Sequence, residues 1–272
     1  MIWFVGAGPG AEDLITVRGK ELLQSADMVI YAGSLVNPGL LKVCPEGCEI
    51  YNSARMTLEE VMEQMLRAER ENKRIVRLHT GDPCLYGAIK EQMDILEREG
   101  IPYEVCPGVS SFCGAAAALG AEYTLPGISQ SVVITRMAGR TPVPDKESIR
   151  SFAAHQATMV IFLSTGMLRE LSEELIAGGY ASDTPAAIVY KASWPEEKVC
   201  RCTVGNLAET AQENQIHKTA LIVVGRILDG EYQRSELYHP AFSTEFREAS
   251  CRREDVPDIR DRESKGKEQQ DV

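Results

Sequence analysis

The chain has 272 residues, 44% hydrophobic and 25% charged, which is ordinary for a globular protein and excludes a wholly disordered chain. Lysine and arginine total 29 against 40 acidic residues, and the resulting net charge of -11 disfavours nucleic-acid binding through a broad positive field. No apolar run approaches the roughly 18–20 residues that cross a bilayer. The N-terminus also lacks the features of a secretion signal, so a cytoplasmic protein without membrane contact is expected.

The first half alternates short apolar runs with amphipathic stretches. Apolar spacing predicts strands over 2–5, 28–31, 75–78 and 103–105 and helices over 16–25, 58–70, 88–98 and 110–119. Strands joined by helices usually lie parallel in one sheet. The sequence therefore predicts an N-terminal α/β domain, residues 1–123, built on a mostly parallel sheet.

The second half is richer in Val/Ile strands. Strands are predicted over 131–135, 159–163, 186–190, 198–204 and 220–225, and helices over 146–155, 168–177 and 207–214. Because seven residues without a helix separate the third and fourth of these strands, that pair is expected to be antiparallel. We therefore predict a second α/β domain with a mixed sheet over 124–230, beginning at the turn-rich segment TLPGISQ.

Residues 231–272 are predicted to form a charged, disordered tail. From Phe242 onward the chain carries nine acidic and seven basic residues and only scattered apolar ones. Such a segment cannot bury enough apolar surface to offset the entropy lost on ordering.

Three glycine-containing turns follow predicted strands of the first half: GAGPG at 6–10, HTGDP at 79–83 and CPGVSS at 106–111. The carboxyl ends of parallel strands share one edge of a sheet, where ligands bind. The three turns are therefore expected to form one binding site. Asp82 is a candidate helix N-cap, and Ser110 or Ser111 can cap a helix or present a hydroxyl to a ligand.

A nicotinamide or flavin dinucleotide is one alternative for GAGPG, because glycine turns bring phosphates close to a helix N-terminus. Pro9, however, removes a backbone donor, and the next helix starts late. The second strand ends in Tyr31-Ala32-Gly33, without an acidic residue for a ribose hydroxyl. These features argue against a dinucleotide site.

The eight cysteines form no C-x-x-C pair of the kind found in zinc or thioredoxin-like sites. We predict no protein-bound metal and interpret the close pairs Cys44/Cys48 and Cys200/Cys202 as packed thiols. Whether those pairs do more than pack is left open.

Five segments in chain order resemble the tetrapyrrole (corrin/porphyrin) methylases: GAGPGAEDLITVRG, HTGDPCLYGAIKEQM, CPGVSS, TRMAGRTPVP and YKASWPEEK. The likeness extends from Met1 to about Leu228. The first three segments are similar across the family. The last two, at 135–144 and 190–198, resemble a narrower branch and imply methylation of carbon 11 of (cobalt-)precorrin-4 to give (cobalt-)precorrin-5A for cobalamin. The GRTPVP segment resembles the cobalt-dependent enzymes slightly more, and metal-free precorrin-4 stays open as the alternative substrate.

The resemblance implies a homodimer of two-domain subunits that binds S-adenosylmethionine in the cleft between the domains. Matched by motif position, the family's cofactor contacts fall on nine residues: Pro9, Thr80, Gly81, Asp82, Leu85, Ser110, Ser111, Leu163 and Ala192. Asp82 is a candidate positioning residue, and no general base is assigned. Direct methyl transfer requires positioning of the reactants and no protein nucleophile.

Precorrin-type macrocycles carry many carboxylates, so a chain this acidic needs local positive charge to bind one. We predict that Arg136, Arg140 and Lys191 anchor the substrate, with Arg55 approaching the same cleft. The structural alternative is that these are solvated surface charges.

Two other functions remain open at this point. One keeps the fold and methylates RNA, against which the net charge of -11 and the absence of a basic stripe count. The other is a nucleotide-sensing binding module that has lost catalysis.

Overall fold

The computed structural model describes residues 1–230 and 232–256. Within these residues the chain forms two five-stranded sheets, one from each half. The predicted fold class, α/β with a mostly parallel first sheet and a mixed second sheet, is confirmed.

The first sheet has the strand order β3-β2-β4-β1-β5, and its neighbouring strands all pair in parallel. Its strands are β1 (Ile2–Gly6), β2 (Met28–Tyr31), β3 (Glu49–Asn52), β4 (Ile75–His79) and β5 (Tyr103–Cys106). Its helices are α1 (Val17–Gln24), α2 (Leu58–Arg70), α3 (Lys90–Arg98) and α4 (Ser111–Leu119). Strand β3 was not predicted, because its sequence EIYN is half polar and lies at the sheet edge, where apolar alternation is weak.

The second sheet has the order β6-β7-β10-β8-β9. Its strands are β6 (Val132–Arg136), β7 (Thr158–Phe162), β8 (Pro185–Tyr190), β9 (Lys198–Thr203) and β10 (Ala220–Val224), and its helices are α5 (Ile149–Ala153), α6 (Leu168–Ala177) and α7 (Leu207–Glu213). Strands β6 and β7 are parallel and the remaining neighbours antiparallel. The antiparallel pairing predicted for β8 and β9 is confirmed. Helix α5 is shorter than predicted, because a 3-10 turn precedes it and Ser148 caps its start.

Both faces of each sheet carry an apolar cluster. Helix α4 connects the two halves, since Ala115 and Leu119 are buried against the second sheet beside Val189 and Leu221. Its small side chains let the helix approach the strands closely. The contact between the two halves therefore begins in α4, the helix that directly follows the turn after β5.

The described part of the predicted tail, 232–256, contains 3-10 turns at Glu236–Tyr238 and Arg253–Asp255. Residue 231 and residues 257–272 lie outside the described residues. Every helix in the described part of the chain is too short or too polar to cross a membrane.

The eight cysteines are free thiols. Burial, with a smaller effect of the neighbouring Cys44, raises the pKa of Cys48 to about 12, so this thiol stays protonated and unreactive at neutral pH.

Candidate active site

The turns that follow β1, β4 and β5 touch each other backbone to backbone. A β-carbon added at Gly6 would lie 2.5 Å from Cα of Gly108, and one added at Gly108 would lie 2.2 Å from the carbonyl oxygen of Gly81. The Gly81 amide also donates to the Gly8 carbonyl at 2.9 Å. Any side chain at Gly6 or Gly108 would force these turns apart. The three predicted turns thus form one continuous floor at the carboxyl edge of the first sheet.

Asp82 ties two of these turns together. Its Oδ2 accepts a hydrogen bond from the Gly108 amide at 2.8 Å, and its Oδ1 accepts one from the Cys84 amide at 2.8 Å. Burial alone would raise the pKa of Asp82, but the hydrogen bonds from Cys84 and Gly108 hold this pKa below its ordinary value. The carboxylate is therefore ionised at neutral pH. The prediction of a helix N-cap is wrong, because α3 begins only at Lys90 and Asp82 caps the local turn instead.

Ser110 occupies the N-cap position of α4 and is buried. Within the described residues its side chain makes no capping hydrogen bond. Its hydroxyl therefore remains available to a ligand.

Between the two sheets lies a cleft containing about 970 Å³ of space, part of it open to solvent. All nine positions matched to the family's cofactor contacts line it: Pro9, Thr80, Gly81, Asp82, Leu85, Ser110, Ser111, Leu163 and Ala192. Sequence reasoning missed the other lining residues: Leu35, Tyr86, Phe162, Thr165, Val189, Trp194, Thr219, Ala220 and Leu221. The signal for Trp194 was present, since it lies inside the YKASWPEEK segment.

Four non-glycine residues that line the described cleft have left-handed backbone: Tyr86 (φ 56°), Leu163 (φ 53°), Lys191 (φ 47°) and Thr219 (φ 60°). For a β-branched residue such as Thr219 this conformation is unusual and costly. The surrounding structure holds it: the Lys191 amide donates to the Thr219 carbonyl at 3.1 Å. The cleft lining thus includes strained backbone, as is common at binding sites.

The cleft walls come from both halves of the chain. The Tyr86 ring, in the first half, contacts the Phe162 ring in the second, with centroids 5.4 Å apart. Leu163 is 63% exposed, an unusual amount for a leucine. The walls therefore present apolar surface to a bound molecule, while hydroxyls and the Asp82 carboxylate lie at the floor.

The structure separates the predicted substrate anchors. Lys191 lines the described cleft, with its ammonium 3.6 Å from the Glu196 carboxylate. The Arg136 guanidinium donates instead to backbone carbonyls of its own loop, those of Met137, Thr141 and Pro142. Two further candidates, Arg140 and Arg55, are exposed and lie outside the cleft lining.

Behind the floor, β4 buries two basic side chains. Arg77 donates to the Gln92 side chain at 3.2 Å and to the Ile30 carbonyl at 3.1 Å, and burial lowers its pKa to about 10. His79 is 3% exposed, and its Nε2 has no hydrogen-bond partner among the described residues. Burial and, to a lesser extent, the Arg77 charge lower the pKa of His79 to about 3. The imidazole is therefore neutral and lies behind the cleft floor.

A model of the tetrapyrrole (corrin/porphyrin) methylases matches residues 1–208, which include every turn of the floor. The chain belongs to this family. Two relatives illustrate its place among the tetrapyrrole methylases. The cobalt-precorrin-4 C(11)-methyltransferase of Methanocaldococcus jannaschii is 52% identical over 246 residues, covering 90% of this chain and 95% of the relative. The precorrin-4 C(11)-methyltransferase of a Sinorhizobium species is 45% identical over 248 residues, covering 90% and 98%.

Solved structures of other tetrapyrrole methylases have the same fold. The X-ray structure of a cobalt-precorrin-4 methyltransferase matches with a TM-score of 0.82 at 48% identity, over 84% of this chain and 95% of that one. A uroporphyrin-III C-methyltransferase of Thermus thermophilus in complex with S-adenosyl homocysteine matches with a TM-score of 0.71 at 28% identity, over 84% and 98%. The resemblance predicted from the five segments is confirmed.

Proposed function

We propose that this chain transfers a methyl group from S-adenosylmethionine to carbon 11 of cobalt-precorrin-4, giving cobalt-precorrin-5A in cobalamin biosynthesis. The observation that carries the proposal is the convergence of all nine motif-matched positions on one cleft between the sheets. The relative with 52% identity, which bears the name of this activity over nearly its whole length, supports the same conclusion.

The residues of the cleft suit S-adenosylmethionine. The turns at Gly6, Gly81 and Gly108 pack backbone to backbone, and this packing holds Thr80, Gly81 and Asp82 in the lining of the cleft. The buried Ser110 hydroxyl offers a hydrogen bond to a polar group of the cofactor. The ionised carboxylate of Asp82 favours a cationic ligand over an anionic one.

When bound, S-adenosylmethionine would supply a methyl group to a nucleophilic ring carbon, its sulfur keeping the electron pair of the broken bond and the methylated ring losing a proton. The protein's part is to hold this carbon in line with the donor and to exclude water. The apolar walls at Leu163 and Phe162 exclude water from the cleft. Asp82 is a positioning residue, since its carboxylate holds the turns after β4 and β5 together.

We propose that Lys191 and the exposed Arg140 contact the carboxylates of the macrocycle. Lys191 lines the cleft, and Arg140 lies in the loop after β6, at the same sheet edge as Leu163 after the parallel strand β7. Arg136 contributes through the loop that its guanidinium holds. Long-range attraction by such charges weakens as salt is added.

Several further features are part of the proposal. Residues 1–123 and 124–230 act as the two domains that enclose the cofactor, and 231–272 lie outside them. The protein works in the cytoplasm as a homodimer and takes a small corrinoid substrate, without a nucleic-acid partner. The net charge of -11 supports the proposal that no nucleic acid is a partner.

The test is a methyl-transfer assay with purified protein, S-adenosylmethionine labelled in its methyl group, and cobalt-precorrin-4. We expect one labelled methyl on carbon 11, located by mass spectrometry and NMR. Absence of transfer under conditions in which the Methanocaldococcus relative is active would refute the substrate assignment. Label found in ribosomal RNA would favour the RNA methylase instead.

Metal-free precorrin-4 is the second candidate, supported by the 45% identity to the Sinorhizobium enzyme. The same assay with both macrocycles in parallel separates the two candidates. We expect a higher kcat/KM with the cobalt form, and the reverse order would assign the metal-free substrate.

A further inference from the structure

A short segment of the second half reaches across to the first half at one side of the cleft. The Trp194 indole N–H donates to the Pro9 carbonyl at 3.1 Å. One residue earlier, the Ser193 hydroxyl accepts from the Ala11 amide at 3.0 Å. These contacts join residues more than 180 positions apart in the chain. Both Pro9 and Trp194 line the cleft, so the contact lies at its edge.

Gly10 lies directly under the indole ring. A β-carbon added at Gly10 would lie 2.0 Å from Cδ1 and 2.3 Å from Nε1 of Trp194, distances that no real contact permits. Gly10 is not among the glycines with positive φ, so its backbone does not itself require glycine. The space occupied by Trp194 is what requires it. By contrast, Gly8 in the same turn has a φ of 79°.

Several contacts stabilise the conformation of residues 191–194, the segment that reaches across to the first half. Lys191 and Ser193 both have left-handed backbone, with φ of 47° and 66°. The Trp194 amide donates to the Lys191 carbonyl at 3.0 Å, closing a turn. The Lys191 ammonium lies 5.0 Å from the centroid of the Trp194 ring, within the range of a cation–π interaction. Strain of this kind persists only where neighbouring contacts over-determine the geometry.

We propose that Trp194 is a positioning residue: seated on Gly10 and bonded to Pro9, it fixes the turn after β1 against the second half and so sets the width of the cofactor cleft. The inference rests on the proposed function only in identifying the ligand as S-adenosylmethionine. Gly10 and Trp194 are then a matched pair, in which a change at either residue has the same consequence.

A double-mutant cycle tests the pairing. Gly10→Ala, Trp194→Ala and the double variant are compared for binding of S-adenosylhomocysteine by calorimetry. We expect each single change to weaken binding roughly tenfold or more. The double variant should be no weaker than Trp194→Ala, because the new methyl then fits the space left by the indole. The proposal is overturned if the double variant loses affinity by the product of the two single losses, or if both single variants bind like the wild type.

Two controls separate positioning from a general loss of structure. Gly166→Ala adds the same methyl where no atom lies within 4 Å, and its affinity should be unchanged. Trp194→Phe keeps an aromatic ring but removes the N–H donor to Pro9, so its affinity should fall between the wild type and Trp194→Ala. Should Trp194→Ala fail to fold, the tryptophan emission of Gly10→Ala, described next, decides the pairing.

A spectroscopic readout is independent of the ligand. The chain has two tryptophans, so Trp3→Phe leaves Trp194 as the sole indole emitter. In that background Gly10→Ala should shift the emission to longer wavelength, because the displaced ring becomes more exposed to water. An unchanged emission would overturn the proposal. If the wild type fails to bind S-adenosylhomocysteine, the proposed function fails, and the pairing is decided by this emission and by the melting temperatures of the cycle.

Discussion

Acidification should destabilise the protein through a single buried imidazole. In the folded chain the pKa of His79 is about 3, against 6.5 for an ordinary histidine. Between these values the unfolded chain binds a proton at this residue and the folded chain does not, so stability falls as the pH is lowered from about 6.5 toward 3. Each pKa unit corresponds to about 1.4 kcal/mol. Lowering the pH from 7 to 5 should therefore cost about 2 kcal/mol through His79.

The assay is urea unfolding at pH 7 and pH 5 for the wild type and for His79→Phe. Phenylalanine cannot titrate, and it keeps a ring beside Phe4, whose centroid is 6.1 Å from that of His79. The wild type should lose about 2 kcal/mol more than the variant between the two pH values, equivalent to roughly 4–8 °C in Tm for a chain of this size. Equal losses in the two proteins would show that burial of His79 does not hold its imidazole neutral, and would refute this reasoning.

Three further predictions concern the cleft. In Gly108→Ala the new methyl would lie 2.2 Å from the Gly81 carbonyl oxygen. This variant should therefore lose about 1–3 kcal/mol or more of stability, measured by urea unfolding, and should no longer bind S-adenosylhomocysteine. Wild-type affinity would contradict this prediction. Asp82→Ala should cost about 1–3 kcal/mol of stability through the lost hydrogen bonds from the Cys84 and Gly108 amides, and a larger free energy of cofactor binding, measured by calorimetry. Equal losses in stability and binding would leave a purely structural role. Lys191→Ala should raise the KM for corrinoid roughly tenfold in steady-state kinetics, since a hydrogen bond to a charged group contributes about 1.5–3 kcal/mol. Arg136→Ala should mainly lower the Tm. The opposite pattern would make Arg136 the substrate contact and Lys191 the residue that stabilises structure.

The elements that were predicted well are those with a strong local pattern. Helix α2 was predicted at its observed bounds, because its apolar residues recur at helical spacing and Thr57 and Glu60 form a capping box at its start. The floor could also be predicted, since turns that follow parallel strands share one edge. The half-polar edge strand β3 could not, because its pairing partner rather than its own composition makes it a strand.

Within the site, prediction failed wherever a side chain's partner is distant or unexpected. Arg136 has the sequence context of a substrate anchor, yet its guanidinium is occupied by carbonyls of the next few residues. Nothing local indicates that Trp194 contacts Pro9, 185 residues away. Nothing in the sequence explains the identity of the final glycine of GAGPG, which the indole above it requires.

The order of the strands along the chain also bears on how the protein is made. Each sheet comes from one continuous stretch, β1–β5 from residues 2–106 and β6–β10 from residues 132–224. During synthesis, the ladder of the first sheet can be completed before the second sheet has left the ribosome. The hydrogen bond from the Ala11 amide to the Ser193 hydroxyl joins residues 182 positions apart, so it forms only when the two halves dock. Because residues of both halves line the cleft, its walls are complete only after this docking.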